Sequence, residues 1–555
     1  MNQMTGAELI VRLLERQGVR TIAGIPGGAI LPLYDALSQS DLIEHVLARH
    51  EQGAGFMAQG MARVSGVPGV CFASSGPGAT NLVTAIADAQ LDSIPMVAIT
   101  GQVPLPMIGT DAFQEVDIYG MTVPITKHNF LVRSAEELLK VIPEAFRIAM
   151  SGRPGPVLVD VPKDVQNQRI EFAEFPPPAG RDAVPALDAA AIDRAAAMIN
   201  EAERPVLYLG GGVIHSGASA QAVTLAEQAG LPTTMTLMAL GAMAVDHPLS
   251  IGMLGMHGAR YTNYVLEEAD LLVCVGARFD DRAIGRAAQF CPGARIVHID
   301  VDPSELHKIK TAHVAIHGDV AAVLDALLPK VKVQLRKRWL SHVESLKSRF
   351  PMQMPDLDDP RSHYGLIHAV AAALDDEAVI ATDVGQHQMW VAQAYPFRRA
   401  RQWLTSGGLG TMGFGMPTAI GAALAAPERT VVCFSGDGSL QMNIQELATL
   451  AELGLNVKIV LMNNNSLGLV YQQQNLFYGK RTFASKYRGG PDFCRIAEGY
   501  GIAAVDLDAS DNPRATLAEA LQAPGPCLIH ASIDREQFVY PMVPPGAANT
   551  EMIGG

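Results

Sequence analysis

The chain has 555 residues, of which 48% are hydrophobic and 18% charged, and its formal net charge is −14 at pH 7. This composition is ordinary for a globular protein and excludes a largely disordered chain, while the length predicts two to four domains. Because the chain is net acidic and lacks basic runs, we expect no nucleic-acid partner and no anionic membrane surface as a partner.

The six cysteines are scattered and no two have CxxC spacing, which favours buried thiols, as at Cys71, Cys274 and Cys433, over a zinc site or a disulfide framework. The first residues, MNQMTGAELI, resemble neither a secretory signal nor an Arg-rich transit peptide. The longest apolar run, near FGMPTAIGAALAA (414–426), is too short to span a bilayer and is predicted to be buried core. These features predict a cytoplasmic protein.

The first part of the chain alternates apolar strands with glycine-rich loops and helices. Strands without polar alternation, each followed by such a loop and a helix, are typical of a parallel sheet covered on both faces. In chain order the predicted elements are a helix at 5–18 with a Thr5–Glu8 capping box, strands at 19–25, 45–48 and 69–74, a loop at 75–81, a helix at 82–89 and a strand at 93–101.

Two proline-rich stretches, 175–185 and 350–363, are predicted to be linkers. Between them lies a second α/β run from 204 to 319, and a third run covers 377–468. The sequence therefore predicts three α/β domains with doubly wound parallel sheets, which we assign to residues 1–175, 186–345 and 362–555.

In the third domain one strand ends at Gly436-Asp437-Gly438-Ser439, with a helix expected near Leu440, and the next strand ends at Asn463-Asn464. Both strand ends should emerge at the sheet edge where ligands of α/β folds bind. A helix N-terminus there offers N–H groups to a phosphate, and Asp437 and Asn464 offer the oxygen ligands that Mg²⁺ requires. Either piece alone is more often a turn, but the pair resembles the thiamine-diphosphate binding motif.

A resemblance to the acetohydroxyacid synthase (acetolactate synthase) catalytic subunits, especially the bacterial isozyme I type, extends over essentially the whole chain. The matching runs are GIPGG (24–28), ARHEQGAGFMAQGMAR (48–63), SGPGATN (75–81), GTDAFQE (109–115), SGRPGPV (151–157), DVPKDV (160–165), GMHG (255–258), GARFDDR (276–282), DVGQHQMW (383–390), GGLGTMGFG (407–415), GDGS, NN and MVPPGAANTEM (542–552).

The resemblance implies a pyrimidine-binding domain, a central FAD-binding domain and a diphosphate-binding domain. It makes Glu51 the carboxylate that activates thiamine diphosphate, although a lone Glu is usually a solvated surface residue. The residues implied to contact thiamine diphosphate are Glu51, Pro77, Asn81, Gly385, Gln386, His387, Gly410, Met412, Gly436, Asp437, Gly438, Ser439, Asn464 and Gly468. Asp437, Asn464 and the Ser466 carbonyl are implied to hold Mg²⁺.

In the middle domain LGGGVIHSG (209–217) fits the GxGxxG dinucleotide fingerprint poorly. The resemblance instead implies FAD in a non-redox role, contacted by Arg153, Gly210, Gly211, Gly212, Thr236, Leu237, Met256, Gly276, Arg278, Asp280, Arg282, Asp300, Val301 and Asp319. It also implies a substrate channel bordered by Gly28, Phe113, Gln114, Lys163 and Gln473, where most relatives carry Trp at the last position and the isozyme I type carries Gln.

The function implied is acetolactate synthesis for branched-chain amino acid biosynthesis: decarboxylation of pyruvate and transfer of the two-carbon unit to a second pyruvate or to 2-oxobutyrate. The expected assembly is a homodimer or larger, with a small regulatory subunit. Alternatives are a pyruvate oxidase or plain decarboxylase with the same cofactor, a flavin- or nucleotide-binding protein with an inactive thiamine site, and a dehydrogenase.

Overall fold

Three six-stranded parallel sheets, each flanked by helices, form the core of the computed structural model, which describes residues 2–554. Most of the sheet strands are buried along their whole length, as expected when helices cover both faces. The predicted α/β fold with three parallel sheets is therefore confirmed, while the domain boundaries stay a prediction.

The first sheet has the strand order β3-β2-β4-β5-β7-β6, and β1 pairs antiparallel with β8 beside it. The strands are β1 (Asn2–Thr5), β2 (Thr21–Gly24), β3 (Glu44–Leu47), β4 (Gly69–Ala73), β5 (Met96–Gln102), β6 (His128–Leu131), β7 (Pro156–Pro162) and β8 (Arg169–Phe172). The helices are α1 (Gly6–Arg16), α2 (Leu31–Leu37), α3 (Glu51–Ser65), α4 (Pro77–Asn81), α5 (Val83–Asp92), α6 (Ile118–Thr122), α7 (Leu138–Met150) and α8 (Lys163–Asn167).

The second sheet has the order β11-β10-β9-β12-β13-β14. Its strands are β9 (Pro205–Leu209), β10 (Thr233–Met235), β11 (Ser250–Met253), β12 (Leu271–Val275), β13 (Arg295–Asp300) and β14 (Val314–His317). The helices are α9 (Ala189–Glu201), α10 (Gly211–Ser216), α11 (Ser219–Ala229), α12 (Arg260–Glu267), α13 (Asp281–Ile284), α14 (Val320–Leu327) and α15 (Lys337–Arg349).

The third sheet has the order β16-β15-β17-β18-β20-β19. Its strands are β15 (Val379–Thr382), β16 (Trp403–Leu404), β17 (Val431–Gly436), β18 (Val457–Asn463), β19 (Ala503–Asp506) and β20 (Cys527–Ser532). The helices are α16 (His363–Ala373), α17 (Gln386–Ala394), α18 (Gly415–Ala425), α19 (Asp437–Leu440), α20 (Leu447–Leu453), α21 (Gly468–Phe477), α22 (Phe493–Gly499) and α23 (Pro513–Gln522), with a 3₁₀ helix at Gln441–Glu446.

Local sequence signals account for several boundaries. The capping box predicted at Thr5 is present, since its side chain accepts the Glu8 N–H and the Glu8 carboxylate accepts the Thr5 N–H. The loop predicted at 75–81 is partly wrong, because Pro77 opens the short helix α4. Proline suits a first helical position, where its missing N–H is not needed.

The apolar run near 414–426 forms α18, which is buried against α3 of the first domain. A Cβ atom at Gly60 would lie 2.1 Å from the Thr418 carbonyl oxygen, and one at Gly421 would lie 2.0 Å from the Met57 carbonyl oxygen. The two helices therefore cross at glycines with their backbones in contact. Among residues 2–554, no helix is both long enough and apolar enough to cross a membrane.

Candidate active site

The carboxyl ends of β17 and β18 bring the predicted metal ligands together. The Asp437 carboxylate accepts the Asn464 N–H at 3.4 Å, and the Asn464 side-chain oxygen accepts the Ser466 N–H at 3.1 Å. The helix expected near Leu440 begins earlier, at Asp437, because Gly436 already has extended backbone angles and serves as the N-cap. Ser439 therefore lies inside the first turn, where its hydroxyl donates to the Val384 carbonyl at 2.7 Å.

This edge has the donor chemistry of a Mg²⁺ site. Asp437 is only 3% exposed, and in the described chain no lysine or arginine forms an ion pair with it. Burial raises the pKa of Asp437 to about 6. A bound divalent cation would favour the ionised carboxylate, and the other donors offered here are also oxygens. The residues present therefore fit the metal.

The same edge also fits a diphosphate. The His387 ring packs between two loops, because Cβ atoms at Gly385 and Gly436 would lie 2.7 Å and 2.9 Å from it. Its Nε2 atom is buried without a hydrogen-bond partner among the described residues, and burial lowers the pKa of His387 to about 3. A ligand atom near the start of α17 would satisfy this buried nitrogen.

Other predicted cofactor residues surround this edge. The Asn464 side-chain N–H₂ donates to Gln386 at 3.0 Å, and a Cβ atom at Gly468 would lie 2.1 Å from the same Gln386 oxygen. A Cβ atom at Gly438 would lie 3.5 Å from the Met412 methyl group. The structure thus places these predicted third-domain residues around one sheet edge, where a Cβ atom at Gly468 would crowd the Gln386 side chain.

In the first domain the predicted pyrimidine-contacting residues form a second group. Glu51 is the first residue of α3, and its carboxylate accepts the Asn81 side-chain N–H at 2.9 Å. A Cβ atom at Gly78, beside Pro77, would lie 3.3 Å from the Glu51 carboxylate. Gln114 is adjacent, since a Cβ atom at Gly76 would lie 3.0 Å from its Cα.

These two groups do not meet within one chain. Because Gly60 faces Thr418 while Gly421 faces Met57, helices α3 and α18 run in opposite directions past each other. Their N-terminal ends, with Glu51 on one and Met412 before the other, are consequently roughly 20 Å apart along the helices. Across residues 2–554, no hydrogen bond joins the Glu51 carboxylate to the third domain.

A cavity of 1110 Å³ opens at the carboxyl ends of the central strands and reaches the third domain. The fourteen residues predicted to contact FAD all line it: Arg153, Gly210, Gly211, Gly212, Thr236, Leu237, Met256, Gly276, Arg278, Asp280, Arg282, Asp300, Val301 and Asp319. The loops after β9 and β12 approach closely, since a Cβ atom at Gly210 would lie 2.1 Å from the Gly276 carbonyl oxygen. Strand order reverses between β9 and β12, which is where α/β sheets bind nucleotides. The cavity therefore fits a dinucleotide such as FAD.

The predicted channel residues are divided between the domains. Gln473, on α21, lines the central cavity together with Gly410. Phe113 is 88% exposed on the first domain, Gly28 lies in the loop after β2, and Lys163 lines a separate 650 Å³ cavity beside α1 and α2. Within one chain, the structure does not bring these three residues to Gln473.

Several polar residues near the candidate site were not predicted from the sequence. Gln472 is fully buried and links Gln386 to the Val539 backbone. Its side-chain oxygen accepts the Gln386 side-chain N–H at 3.1 Å and the Val539 N–H at 2.8 Å. Its side-chain N–H donates to the Val539 carbonyl at 3.1 Å. Glu446 and Asp92 are buried carboxylates that accept backbone N–H groups from the other domain. No local motif predicts such long-range contacts. The one available signal was an acidic or amide residue within an otherwise apolar segment.

Comparison with known proteins gives family matches in all three domains. The thiamine pyrophosphate enzyme models match as the N-terminal TPP binding domain at 4–121, the central domain at 192–327 and the C-terminal TPP binding domain at 383–531. The acetolactate synthase isozyme 1 large subunit of Escherichia coli K12 is 64% identical over 552 residues, covering 100% of this chain and 98% of that protein. The chain belongs to the acetolactate synthase large-subunit family.

Other members of this acetolactate synthase family are also similar over their length. The isozyme 2 large subunit of E. coli K12 is 46% identical, covering 99% of each chain, and a probable chloroplastic acetolactate synthase 2 of Oryza sativa is 46% identical, covering 100% of this chain and 86% of that protein. Glu51 lies in the N-terminal TPP binding match, and Asp437 and Asn464 lie in the C-terminal one. The chain is thus a thiamine-diphosphate-dependent acetolactate synthase.

Proposed function

We propose that this enzyme decarboxylates pyruvate and joins the two-carbon fragment to a second pyruvate, giving 2-acetolactate, or to 2-oxobutyrate, giving 2-aceto-2-hydroxybutyrate. The observation that supports this most is the pair of half-sites, with an activating carboxylate at Glu51 and an oxygen-donor metal edge at Asp437 and Asn464. The products serve branched-chain amino acid synthesis.

Asp437, Asn464 and the Ser466 carbonyl would hold Mg²⁺, while His387, Gln386 and Ser439 would face the diphosphate. When bound, the cofactor supplies a nucleophilic carbon and an electron sink for the decarboxylation. The Glu51 carboxylate accepts the Asn81 side-chain N–H with one oxygen, and its other oxygen would be available to the pyrimidine ring of a bound cofactor. Met412 presents an apolar side chain beside Gly438, which helps to exclude water that would divert the reaction.

FAD would occupy the central cavity, with the glycines after β9 allowing close backbone approach. The cavity also presents the positive side chains of Arg278 and Arg282 to phosphate groups, whereas Arg153 in the same lining forms an ion pair with Glu305 at 2.9 Å. We propose a structural role for FAD rather than electron transfer. Anaerobic mixing with pyruvate tests this point, because an oxidase would bleach its flavin rapidly and this enzyme should not.

The complete site would need two chains. Glu51 and Asp437 are separated within one chain, and both catalytic edges leave large apolar groups uncovered, with Phe113 88% and Phe483 84% exposed. Such groups favour a protein partner over water. Pairing by a two-fold axis would bring Glu51 of one chain to the metal edge of a second chain, so we propose a homodimer or larger.

Mixed dimers test the two-chain site. Glu51→Gln chains and Asp437→Ala chains should each be nearly inactive alone, whereas a mixed dimer contains one intact site and should recover about half of the dimer activity. Full activity of a monomer in sedimentation, or no recovery in purified mixed dimers, would contradict the proposal.

The substrate assignment is tested by product analysis with thiamine diphosphate, Mg²⁺ and FAD present. Pyruvate alone should give 2-acetolactate, and added 2-oxobutyrate should give the longer product. Acetaldehyde as the main product would instead indicate a plain decarboxylase. Because the relatives are named large subunits, we also propose a smaller regulatory partner, which should co-purify with the tagged chain from its native cell.

A further inference from the structure

A buried carboxylate from the third domain holds the backbone immediately before Glu51. Glu446 is fully buried at the end of the 3₁₀ helix that follows α19, and its Oε1 accepts the N–H groups of Arg49 and His50, each at 2.9 Å. Its Oε2 accepts the Thr449 hydroxyl at 2.7 Å. A Cβ atom at Gly53 would lie 2.5 Å from Oε1, so α3 can approach only with glycine there.

The N–H groups that Glu446 accepts lie at the start of α3, next to Glu51. His50 is the N-cap of α3 and Glu51 is its first residue, so the two N–H groups precede the catalytic side chain directly. Free N–H groups at a helix start need an acceptor, and here a side chain of another domain supplies it. Loss of that acceptor would leave buried donors unpaired and release the backbone that directs Glu51.

The same arrangement occurs a second time with the domains exchanged. Asp92, on α5 of the first domain, accepts the Gly407 N–H at 3.1 Å and the Gly408 N–H at 2.7 Å. That segment leads to Gly410 and Met412, which would face the cofactor from the third domain in the proposed site. Each cofactor-contacting segment is therefore held by a buried carboxylate from the other domain of its own chain.

We propose that Glu446 is a positioning residue for Glu51 of the same chain. The inference rests on the two-chain site proposed above, in which Glu51 and Asp437 of one chain serve different active sites. Glu446 follows Asp437 by nine residues, yet it acts on the opposite active site. Glu446 thereby connects the metal edge of one site with the activating carboxylate of the other.

Amide hydrogen exchange in the cofactor-free protein tests the contact itself. Glu446→Leu removes the acceptor at similar volume, so the peptide containing residues 48–54 should exchange faster than in the unmodified protein. Glu446→Gln keeps an acceptor oxygen and should preserve much of the protection. If Glu446→Leu does not fold, Thr449→Val should give a smaller increase at the same peptide. Unchanged exchange of this peptide in folded Glu446→Leu, or in Thr449→Val where Glu446→Leu does not fold, overturns the proposal.

Mixed dimers with two affinity tags test which site Glu446 serves. When one chain carries both Glu51→Gln and Glu446→Leu, both changes fall on one site, and activity should equal that of the Glu51→Gln mixed dimer. When the two changes lie on different chains, both sites are damaged, and activity should fall about 10- to 100-fold further. The reverse pattern would show that Glu446 acts through Asp437 of its own chain and overturns the proposal.

The proposal and the two-chain site can fail separately. If mixed dimers of Glu51→Gln and Asp437→Ala show no recovery, the two-chain site is wrong. If they recover while the two Glu446→Leu arrangements give equal activity, only the assignment of Glu446 is wrong. The rate of cofactor C2–H exchange adds a readout specific to Glu51, and it should fall in Glu446→Leu and be restored in Glu446→Gln.

Discussion

The first and third domains have the same strand order but different side chains at the carboxyl edges of their sheets. The pair β1·β8 lies outside the first six-stranded sheet. When the six strands of each sheet are numbered in chain order, both sheets have the order 2-1-3-4-6-5. These orders are β3-β2-β4-β5-β7-β6 and β16-β15-β17-β18-β20-β19. The helices after the equivalent strands β3 and β16, α3 and α18, pack against each other at Gly60 and Gly421. The two domains thus share one sheet topology and pack against each other through equivalent helices.

The difference lies at the carboxyl edges of the sheets. The third-domain edge carries the proposed metal donors and His387, whose Nε2 has no hydrogen-bond partner among residues 2–554, whereas the first-domain edge carries one carboxylate, Glu51, which accepts from Asn81. A shared fold therefore does not determine what each edge contributes. In the proposed two-chain site the two domains would supply complementary halves, and the predictions below test both the shared topology and the difference between the edges.

The largest effect is expected from the first-domain carboxylate. Glu51→Gln should lower kcat by about 10²- to 10⁴-fold while FAD and thiamine diphosphate still bind, because a neutral amide cannot support the proton shift on the pyrimidine ring as a carboxylate does. Steady-state kinetics with pyruvate, together with cofactor titration, measures this. Glu44→Gln, an exposed change on β3, is the matched control and should be near normal. Near-normal turnover of Glu51→Gln would show that Glu51 is not the carboxylate that activates the cofactor.

The structural equivalence of the two domains is tested at the helix crossing. Gly60→Ala and Gly421→Ala each place a methyl group against a backbone carbonyl, so each should destabilise the protein by about 1–3 kcal/mol or more, and by similar amounts. Thermal and urea unfolding measure the loss. Gly499→Ala on α22, where a Cβ atom would meet nothing within 4 Å, should be neutral or slightly stabilising. Unequal losses of unfolding free energy in Gly60→Ala and Gly421→Ala would mean that the two sides of the helix crossing do not contribute equally to stability.

Much of the fold was predictable because its signals are local. Apolar strands, glycine turns and the Thr5 capping box depend on neighbouring residues, and the three sheets follow from them. The strand ends at Asp437 and Asn464 were predictable for the same reason, since parallel strands share an edge.

The remaining features depend on residues far apart in the chain. The contact of Glu446 with Arg49 and His50 spans almost 400 positions, and no periodicity reveals it. The sequence did not predict that α19 starts at Asp437 rather than near Leu440. Glycines such as Gly436 and Gly438 adopt many backbone conformations, so they mark the start of a helix poorly. The roles of Glu51 and the FAD-lining residues came from family resemblance, since a lone carboxylate has no distinctive pattern.

Among the predicted channel residues, Gln473 of the third domain is expected to have the main influence on the choice of acceptor substrate. Gln473→Trp on α21 places an apolar wall at the third-domain side of the central cavity. The extra methyl group of 2-oxobutyrate would gain about 1–3 kcal/mol against this wall, so the ratio of acetohydroxybutyrate to acetolactate should rise by roughly 5- to 150-fold. Competition between the two acceptors measures this ratio. Gln473→Asn keeps a polar side chain and should leave it nearly unchanged. No rise in the tryptophan variant, with activity retained, would mean that other residues set the choice.

The smallest effect concerns a buried acid in the first domain that its counterpart lacks. Asp160, on β7, is only 1% exposed and accepts the Thr100 hydroxyl at 2.7 Å and the Gln102 side-chain N–H at 3.0 Å, whereas the equivalent strand β20 has no acidic residue. Burial raises the pKa of Asp160 to about 7, above its ordinary value of 3.8.

The folded state therefore binds more protons than the unfolded state between these two pKa values, so the contribution of Asp160 to stability falls as pH rises through that window and stays constant above it. Asp160→Asn removes the titration while still offering an oxygen to Gln102. Relative to the unmodified protein, the variant should gain stability between about pH 5 and about pH 8, by roughly 1 kcal/mol or more. Melting temperatures of both proteins across this range measure the difference. Parallel pH curves would show that Asp160 ionises normally, and the two domains would then differ at this strand in sequence but not in electrostatics.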